Sequence, residues 1–349
     1  MKPELMLKPL PAGKLPPWLL KKVLPRTAAD PNVIVGPGLG RDAAAIAVGD
    51  RVVVAKNDPI TFASDNAAAH LVEVNANDLA CMGATPRWLL VTGLLPHGVT
   101  PADVLNQFAE LREACRHRAV DLVGGHTEIV PGLERPILVG MMLGDTSRGD
   151  LIEPGQARPG DALLLTKGLA IEGTALLARE RRDQLLPLIG EDGVRAAAAL
   201  MHAPGISVVR DAELAREAGG VSALHDPTEG GFATAVRELA IASHTGADID
   251  ADALPILPET RAVADALGLD PLGLLASGSL LIAAAPDAVP AIRRNVESAG
   301  IPISVVGRLT GDPAAFTLYS GSIQRELPVF AVDEVARVLA EHAPAPPPA

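Results

Sequence analysis

Aromatic residues are scarce in this chain, with two Trp, one Tyr and five Phe among 349 residues, or 2%. Stacking platforms for bases or sugars are therefore excluded as its main mode of recognition. Cysteine is almost absent as well. Cys81 and Cys115 are the two present, both within helical patterns, which argues against a disulfide framework. No apolar run is long enough to span a bilayer. Met1 to Lys14, broken by Pro and Lys, carries no signal-like apolar core, so a cytoplasmic location is expected. Positive charge is in deficit, with 30 Lys and Arg against 42 Asp and Glu and a net charge of −12. That balance argues against nucleic acid or an anionic membrane as partner. It also means that a phosphate-bearing ligand would need positive charge from elsewhere, and a metal ion is one source. A hydrophobic content of 48% and a charged content of 21% describe a globular chain, long enough for two domains.

The stretch from Ala67 to Met82 reads as a helix, rich in Ala and Leu, free of internal Gly and Pro, and stopped by Gly83 and Pro86. At helical spacing Val74, Asn77 and Cys81 share one stripe, and Asn75, Asp78 and Met82 share the next. Two amides and a carboxylate thus project from an otherwise small and apolar helix. No Lys or Arg follows Asp78 before Arg87, so no cation lies within a turn of it. A buried carboxylate needs a partner or a cation, although an exposed and solvated Asp78 fits this segment alone equally well.

Around this helix the order of elements is legible. Trp18 to Leu24 forms a short apolar segment in a basic arm over residues 1–30. Asn32 to Val35 is a short strand, followed by Gly36-Pro37-Gly38-Leu39-Gly40-Arg41-Asp42. A dinucleotide fingerprint requires a helix next. Here Ala43 to Val48 alternates, Gly49-Asp50 turns, and Arg51 to Ala55 alternates again, which signals a β-hairpin. Asp42 begins one strand of that hairpin and Asp58 follows the other, so the two stand at neighbouring strand ends. Asp42, Asp58 and Asp78 are therefore expected to form one oxygen-rich cluster of the kind that Mg²⁺ selects beside substrate phosphates. No P-loop is present.

Thr100-Pro101-Ala102-Asp103 opens a helix that runs to about His117. A strand over Val120 to Val123 leads into Gly124-Gly125-His126-Thr127-Glu128, where paired glycines permit either close ligand approach or a tight turn. Ile137 to Leu143 is a further strand. Ser147 to Asp161, rich in Gly and Pro, marks the expected boundary between residues 31–150 and 155–340. The second half alternates strands, such as Ala162 to Thr166, Val221 to Leu224, Gly278 to Ala284 and Ile303 to Val306, with helices, including Thr174 to Glu180, one after Ser207, Phe232 to Ser243 and Pro286 to Gly300. Between the second strand and its helix lies His225-Asp226-Pro227-Thr228-Glu229-Gly230-Gly231, whose backbone amides could hold an anion unless Asp226 or Thr228 only caps the helix. Ala343 to Ala349, mostly Pro and Ala, is expected to be disordered.

Five segments, taken together and in order, resemble the aminoimidazole ribonucleotide (AIR) synthase-like superfamily. They are Asp42-Ala43-Ala44, Lys56-Asn57-Asp58-Pro59, Asn77-Asp78-Leu79-Ala80-Cys81-Met82-Gly83-Ala84, Gly124 to Glu128 and His225 to Gly231. The His-Asp-Pro-Thr and Asn-Asp-Leu-Ala runs look most like the hydrogenase maturation factor that dehydrates a carbamoyl group. The resemblance implies an α/β (α+β) fold of two domains, the N-terminal one built on a mixed sheet through which it forms a homodimer. It implies ATP and Mg²⁺ as cofactors, and phosphorylation of a carbonyl or amide oxygen of a small molecule. Asp42, Asp58 and Asp78 are then metal ligands. Lys56, Asn57, Asn77, Gly124, Gly125, Thr228, Gly230 and Gly231 bind nucleotide, and His126, Glu128, His225 and Asp226 are catalytic. Two alternatives stay open, a small-molecule kinase like the thiamine-monophosphate enzyme and a non-catalytic nucleotide-binding maturation partner. The sequence departs from the maturation factor at its end, Pro347-Pro348-Ala349, where that factor carries a Cys, and at His126 and Glu229, where Asp and Arg are usual. His126 is open to three roles, as base, phosphate donor or packed loop residue, and His225 to catalysis or orientation of the Asp226 loop.

Overall fold

The structure, a computed structural model, describes residues 10, 15–25, 27–38, 40–60 and 66–340. The short apolar segment forms α1 (Pro17–Val23), and the rest of the arm expectation and the tail expectation for Ala343 to Ala349 fall largely outside the described residues. The first half comprises β1 (Val33–Val35), β2 (Ala44–Val48), β3 (Arg51–Ile60), α2 (Ala67–Cys81), β4 (Thr85–Pro96), α3 (Pro101–His117), β5 (Asp121–Val130) and β6 (Ile137–Ser147). β2 and β3 form the expected hairpin, closing on Val48 opposite Arg51. Thr100 and Asp103 cap α3 reciprocally. The sheet order is β1-β2-β3-β6-β4-β5, antiparallel throughout except for the β4–β5 pair.

Side chains along β6 alternate. Leu138, Gly140, Met142 and Gly144 are buried on one face, while Val139, Met141 and Leu143 look out from the other. The two glycines let α2 lie close. A Cβ on Gly140 would stand 3.0 Å from both Leu71 and the Asn75 amide, and one on Gly144 would stand 2.8 Å from Leu79.

The second half runs β7 (Ala162–Thr166), α4 (Ile171–Glu180), α5 (Arg182–Ala199), α6 (Val209–Ala218), β8 (Val221–His225), α7 (Gly231–Ala242), β9 (Gly246–Asp250), α8 (Pro258–Leu267), β10 (Leu281–Ala284), α9 (Val289–Ser298), β11 (Ile303–Thr310), β12 (Phe316–Ser320), β13 (Ile323–Glu326) and α10 (Glu334–Ala340). Its sheet order is β13-β12-β9-β11-β7-β10-β8. Alternation on β7 feeds two cores. Leu163 and Leu165 join the core that also holds residues of α4, α5, α7 and α8, and Leu164 joins the one that holds residues of α6 and α9. That second core continues into the first half through Leu71, Val72, Leu79 and Leu111. α2 is thus packed on both sides, which explains why it is apolar around most of its circumference and why 11 of its 15 residues are buried.

One reading of a loop is corrected. Gly124 to Glu128 lie inside β5, which continues to Val130, and not in a loop beyond its end. The β4–β5 register shifts between Leu89 and Leu90, opposite Gly124. Gly125 has φ +148°, and a Cβ there would stand 1.9 Å from the Val91 carbonyl. The glycine pair therefore serves a bulge in close strand pairing. α4 also begins earlier than the sequence suggests, at Ile171.

Candidate functional site

Period-two alternation sorts the first-half candidates by face. On β3, Val52 and Val54 are buried toward α2, so Lys56 and Asp58 follow on that side and Asn57 falls on the other, where it is exposed. His126 pairs with Thr92 and Glu128 with Leu94, two partly open positions that alternate with the buried Val91 and Leu95, so they share the open face. There His126 Nε2 lies 3.4 Å from Glu128 Oε2, and both are well exposed. β5 is separated from β3 by β6 and β4, about 14 Å at the usual strand spacing. Within one chain, then, Asn57, Gly124, Gly125, His126 and Glu128 do not join Asp58 and Asp78. The motif reading assumed one site because it could not see which face each strand residue takes.

The α2-facing residues converge. Lys56 Nζ stands 3.0 Å from Asp78 Oδ1 and 3.3 Å from Asp58 Oδ2. Asp78 accordingly has a cation beside it, supplied by β3 and not by its own helix, which corrects the expectation of an unpartnered carboxylate. Asn75 accepts the Asp58 N–H at 3.2 Å and donates to the Leu71 carbonyl at 2.8 Å, pinning α2 to β3. Asn77 faces the second half. It donates to the Ile206 carbonyl at 2.9 Å and accepts from the Val208 N–H at 2.8 Å, so its amide ties the two halves together. This use competes with the nucleotide-binding role that the motif suggested for it.

From the other side, β8 ends at His225, and Asp226 follows at 1% exposure. Asp42 is brought in by Gly40, where φ is +67° and a Cβ would stand 2.6 Å from the Glu238 carbonyl, so the loop before β2 lies directly on α7. His225 Nδ1 is 2.9 Å from Asp42 Oδ2, and its Nε2 is 3.1 Å from Glu238 Oε2. One donor atom each from Asp42, His225 and Asp226 lie within 4.8 Å of one another. Cys81 Sγ, one turn beyond Asn77, donates to Asp226 Oδ1 at 3.7 Å.

The electrostatics follow from burial and crowding. Burial alone would lower the Lys56 pKa, but Asp78, Asp58, Asp42 and Asp226 raise it above the ordinary lysine value. Asp78 is raised well above the ordinary carboxylate range by burial, with Lys56 opposing and Asp226, Asp58 and Asp42 adding to the rise. Asp226 is pushed up to about 7 by burial and Asp42, against the pull of His225 and Lys56. Burial lowers the His225 pKa, yet Asp42 and Glu238 outweigh it and hold it well above the usual value. Two cationic side chains thus face five carboxylates. Asp78 Oδ2 and Asp226 Oδ2 are buried with no hydrogen-bond partner among the described residues. Orphaned, crowded oxygen donors of this kind fit a divalent cation.

Glu238 escaped the sequence reading. It and Arg237 are the charged residues of an otherwise apolar helix, and that isolation was the available signal. The glycine loop before α7 is more occupied than expected. The Gly230 N–H donates to Asp333 Oδ2 at 2.7 Å, and Thr228 receives the N–H groups of Gly231 and Ala276 at its carbonyl. A Cβ on Gly231, at φ +68°, would stand 2.5 Å from the Leu272 carbonyl. Asp333 therefore fills one place where an anion was expected.

Comparison with known proteins agrees with this architecture. The family model for the N-terminal domain of AIR synthase related proteins matches residues 40–146, and that for the C-terminal domain matches residues 158–319. The carbamoyl dehydratase HypE of Cupriavidus necator is 32% identical, over 71% of this chain and 70% of its own length. A crystal structure of the hydrogenase maturation protein HypE in complex with ATP superposes with a TM-score of 0.68 at 21% identity, covering 91% of each chain. Thiamine monophosphate kinase from Aquifex aeolicus shares the fold with a TM-score of 0.63 at 18% identity, over 82% of this chain and 92% of its own. On its two matched domains, its fold and this level of identity, the chain belongs to the AIR synthase related family.

Proposed function

We propose that this protein is an ATP-using enzyme of the AIR synthase-like kind that phosphorylates a carbonyl or amide oxygen of a small molecule, as the carbamoyl dehydratases it resembles suggest. The observation that carries the reading is the convergence of Asp42, Asp58, Asp78 and Asp226 from both halves, with two buried carboxylate oxygens left without a hydrogen-bond partner among the described residues. Asp42, Asp58 and Asp78 would hold Mg²⁺, which would supply the charge neutralisation that phosphoryl transfer requires. Lys56 lies against Asp58 and Asp78 and adds positive charge toward a triphosphate. α2 is immobilised by packing on both sides, so the carboxylates it carries are fixed before substrate arrives.

We place a second copy of the chain on the open face of the first sheet. Trp88 and Met141 are exposed apolar residues of its strands, and His126 and Glu128 share the open face. That arrangement would let the two exposed residues act across the interface.

Asp78→Asn keeps the shape of the side chain and removes its charge. Folding is expected to survive, while ATP affinity in the presence of Mg²⁺ falls by roughly tenfold or more, about 1–3 kcal/mol for a lost charged contact. Calorimetric titration measures this, and wild-type affinity in the variant would remove Asp78 from the metal set. Product analysis then fixes the reaction. Free phosphate alongside ADP indicates an activated oxygen that leaves again, and a stable phosphorylated product indicates a kinase. Absence of turnover across candidate acceptors would favour a nucleotide-binding partner.

A further inference from the structure

We infer that His70 of α2 and Glu172 of α4 form a one-proton clasp between the two halves, and that this clasp sets the spacing at which Asp78 and Asp226 face each other. It is a positioning pair and touches no substrate. Its effect on nucleotide rests on the reading of the carboxylate cluster as the ATP site, while its effect on the union of the halves does not. Three observations carry it.

The first is placement. His70, Val74, Asn77 and Cys81 follow one another at helical spacing along α2, so they share a stripe. That stripe faces the second half throughout. Cys81 donates to Asp226, and Asn77 bonds to Ile206 and Val208. Val74 packs against the cluster that holds Ile171, Met201 and Ile206, and His70 meets Glu172. Asp226 and Glu172 are therefore the two ends of one contact line along a single helix.

The second is the state of the pair. His70 is 3% exposed, and its Nδ1 lies 3.2 Å from the Asn66 carbonyl oxygen. A carbonyl can only accept, so Nδ1 carries a hydrogen and Nε2 is left to face Glu172 Oε1 at 3.7 Å. With one more proton, on the ring or on the carboxyl, the two groups attract. Without it a nitrogen lone pair meets a buried carboxylate, and they repel. Burial raises the Glu172 pKa above the ordinary carboxylate value, and His70 and the Ser277 hydroxyl oppose the rise. Glu229, from the loop before α7, is the further charged group that faces the pair, and it adds to the rise.

The third is what the pair is built into. Asn66, at φ +58°, and Ala170, at φ +56°, flank it from either half, and both are non-glycine residues in the left-handed region. Such backbone persists only where its surroundings fix it. From Glu172 the connection continues toward the cluster. The Glu172 N–H donates to the Ser277 carbonyl, the Gly173 N–H to the Leu275 carbonyl, and the Ala276 N–H to the Thr228 carbonyl, two residues past Asp226. Repulsion at the clasp is thus passed toward Asp226 through hydrogen-bonded backbone, while Asp78 stays with His70 on α2.

The test compares the full-length wild type with Glu172→Gln from about pH 5 to about pH 9, across the range in which a histidine–carboxyl pair gives up its last proton. The glutamine carbonyl keeps Ser277, and its N–H donates to Nε2 at every pH. Two quantities are measured, the urea midpoint without nucleotide and the calorimetric Kd for ATP with Mg²⁺. A carboxyl held above its unfolded value stabilises the native state at low pH, and that contribution is lost as pH rises. The wild-type midpoint should therefore fall relative to that of the variant as pH rises. Over the same range the wild-type Kd should rise relative to the variant's by at least about fivefold, the lower end of ordinary coupling between sites. Comparing the two chains cancels titrations that they share, such as that of Asp226. Parallel midpoints overturn the proposal, because the pair then holds no proton of its own. Parallel Kd profiles overturn it even where the midpoints diverge, because the pair then positions nothing. A wild type that binds no ATP at any pH, with diverging midpoints, removes the nucleotide reading and leaves the clasp between the halves standing. If circular dichroism shows that Glu172→Gln does not fold, His70→Gln, whose amide N–H takes the place of Nε2–H, is compared in the same way.

Discussion

Lys56 holds the acidic cluster together from its centre. Its ammonium lies between Asp58 on its own strand and Asp78 on α2, and Asp42 and Asp226 add to the field around it. Removing one member of a buried ion pair strands the others, and that loss is larger than the net worth of the pair. Lys56→Met should therefore destabilise the fold by about 3–5 kcal/mol, read as a lower urea midpoint at unchanged slope. Millimolar Mg²⁺ should restore part of the loss in the variant and much less in the wild type, since the freed carboxylates would take up the ion. A midpoint change worth under about 1 kcal/mol would mean that the carboxylates hold protons and do not depend on Lys56. The partner of Asp78 could not be read from the sequence, because the two residues lie 22 positions apart and meet only once β3 is packed beneath α2. The composition of α2 marked an apolar helix with one carboxylate, and that segment alone left a buried and an exposed Asp78 equally open. What was missing was the strand face from which its partner's charge arrives.

At the scale of elements, glycine and capping residues place the site-bearing segments. Gly125 sits at the β4–β5 bulge, with φ +148° and the Val91 carbonyl where its Cβ would be. Gly125→Ala should cost on the order of 2–4 kcal/mol through backbone displacement, whereas Gly311→Ala, with open space around it, should be within about 1 kcal/mol of neutral or better. Equal stabilities of the two variants in denaturant titration would sink the close-pairing explanation. α10 is anchored by Asp333, which accepts the Gly230 N–H and, at 2.7 Å, the Val335 N–H. Burial pushes its carboxyl up to about 6, against the pull of those amides. An acid whose native pKa lies above its unfolded value favours the native state while both forms are protonated. That advantage is lost as pH rises between about 4 and 6, by roughly 3 kcal/mol in all. The stability of the wild type relative to Asp333→Asn should fall across that window and stay level above it. A difference that is flat with pH would show that Asp333 ionises normally. Helix starts such as Thr100 with Asp103 were legible because capping is local chemistry. The extension of β5 through Gly124-Gly125 was not, since paired glycines signal a turn as readily as a bulge.

The two halves behave as one body because the core that holds α2 also holds residues of α6 and α9, and Asn77 bonds across the junction. The order of five short motifs made the family legible, since the chain keeps them in sequence even where each is weak alone. The division of their residues between two sheet faces was hidden, because alternation assigns a face only once the register of β3 and β5 is known. The open face is the larger consequence. Met141 is 40% exposed in the middle of β6, amid Val139, Leu143, Leu90 and Leu94, all partly open. An uncovered apolar sheet face of this kind invites association, and the proposed second copy would cover it. Met141→Asp would then bury an unpaired carboxylate at the centre of the interface, a cost of several kcal/mol and enough to dissociate most dimers. Sedimentation velocity should show the wild type as a dimer and Met141→Asp as a monomer, with far-ultraviolet circular dichroism unchanged because the residue does not face α2. Leu188→Asp, at a residue 58% exposed on α5, should leave the dimer intact. If Met141→Asp stayed dimeric, the second copy would have to dock elsewhere, and no partner chain would meet His126 and Glu128 across this face.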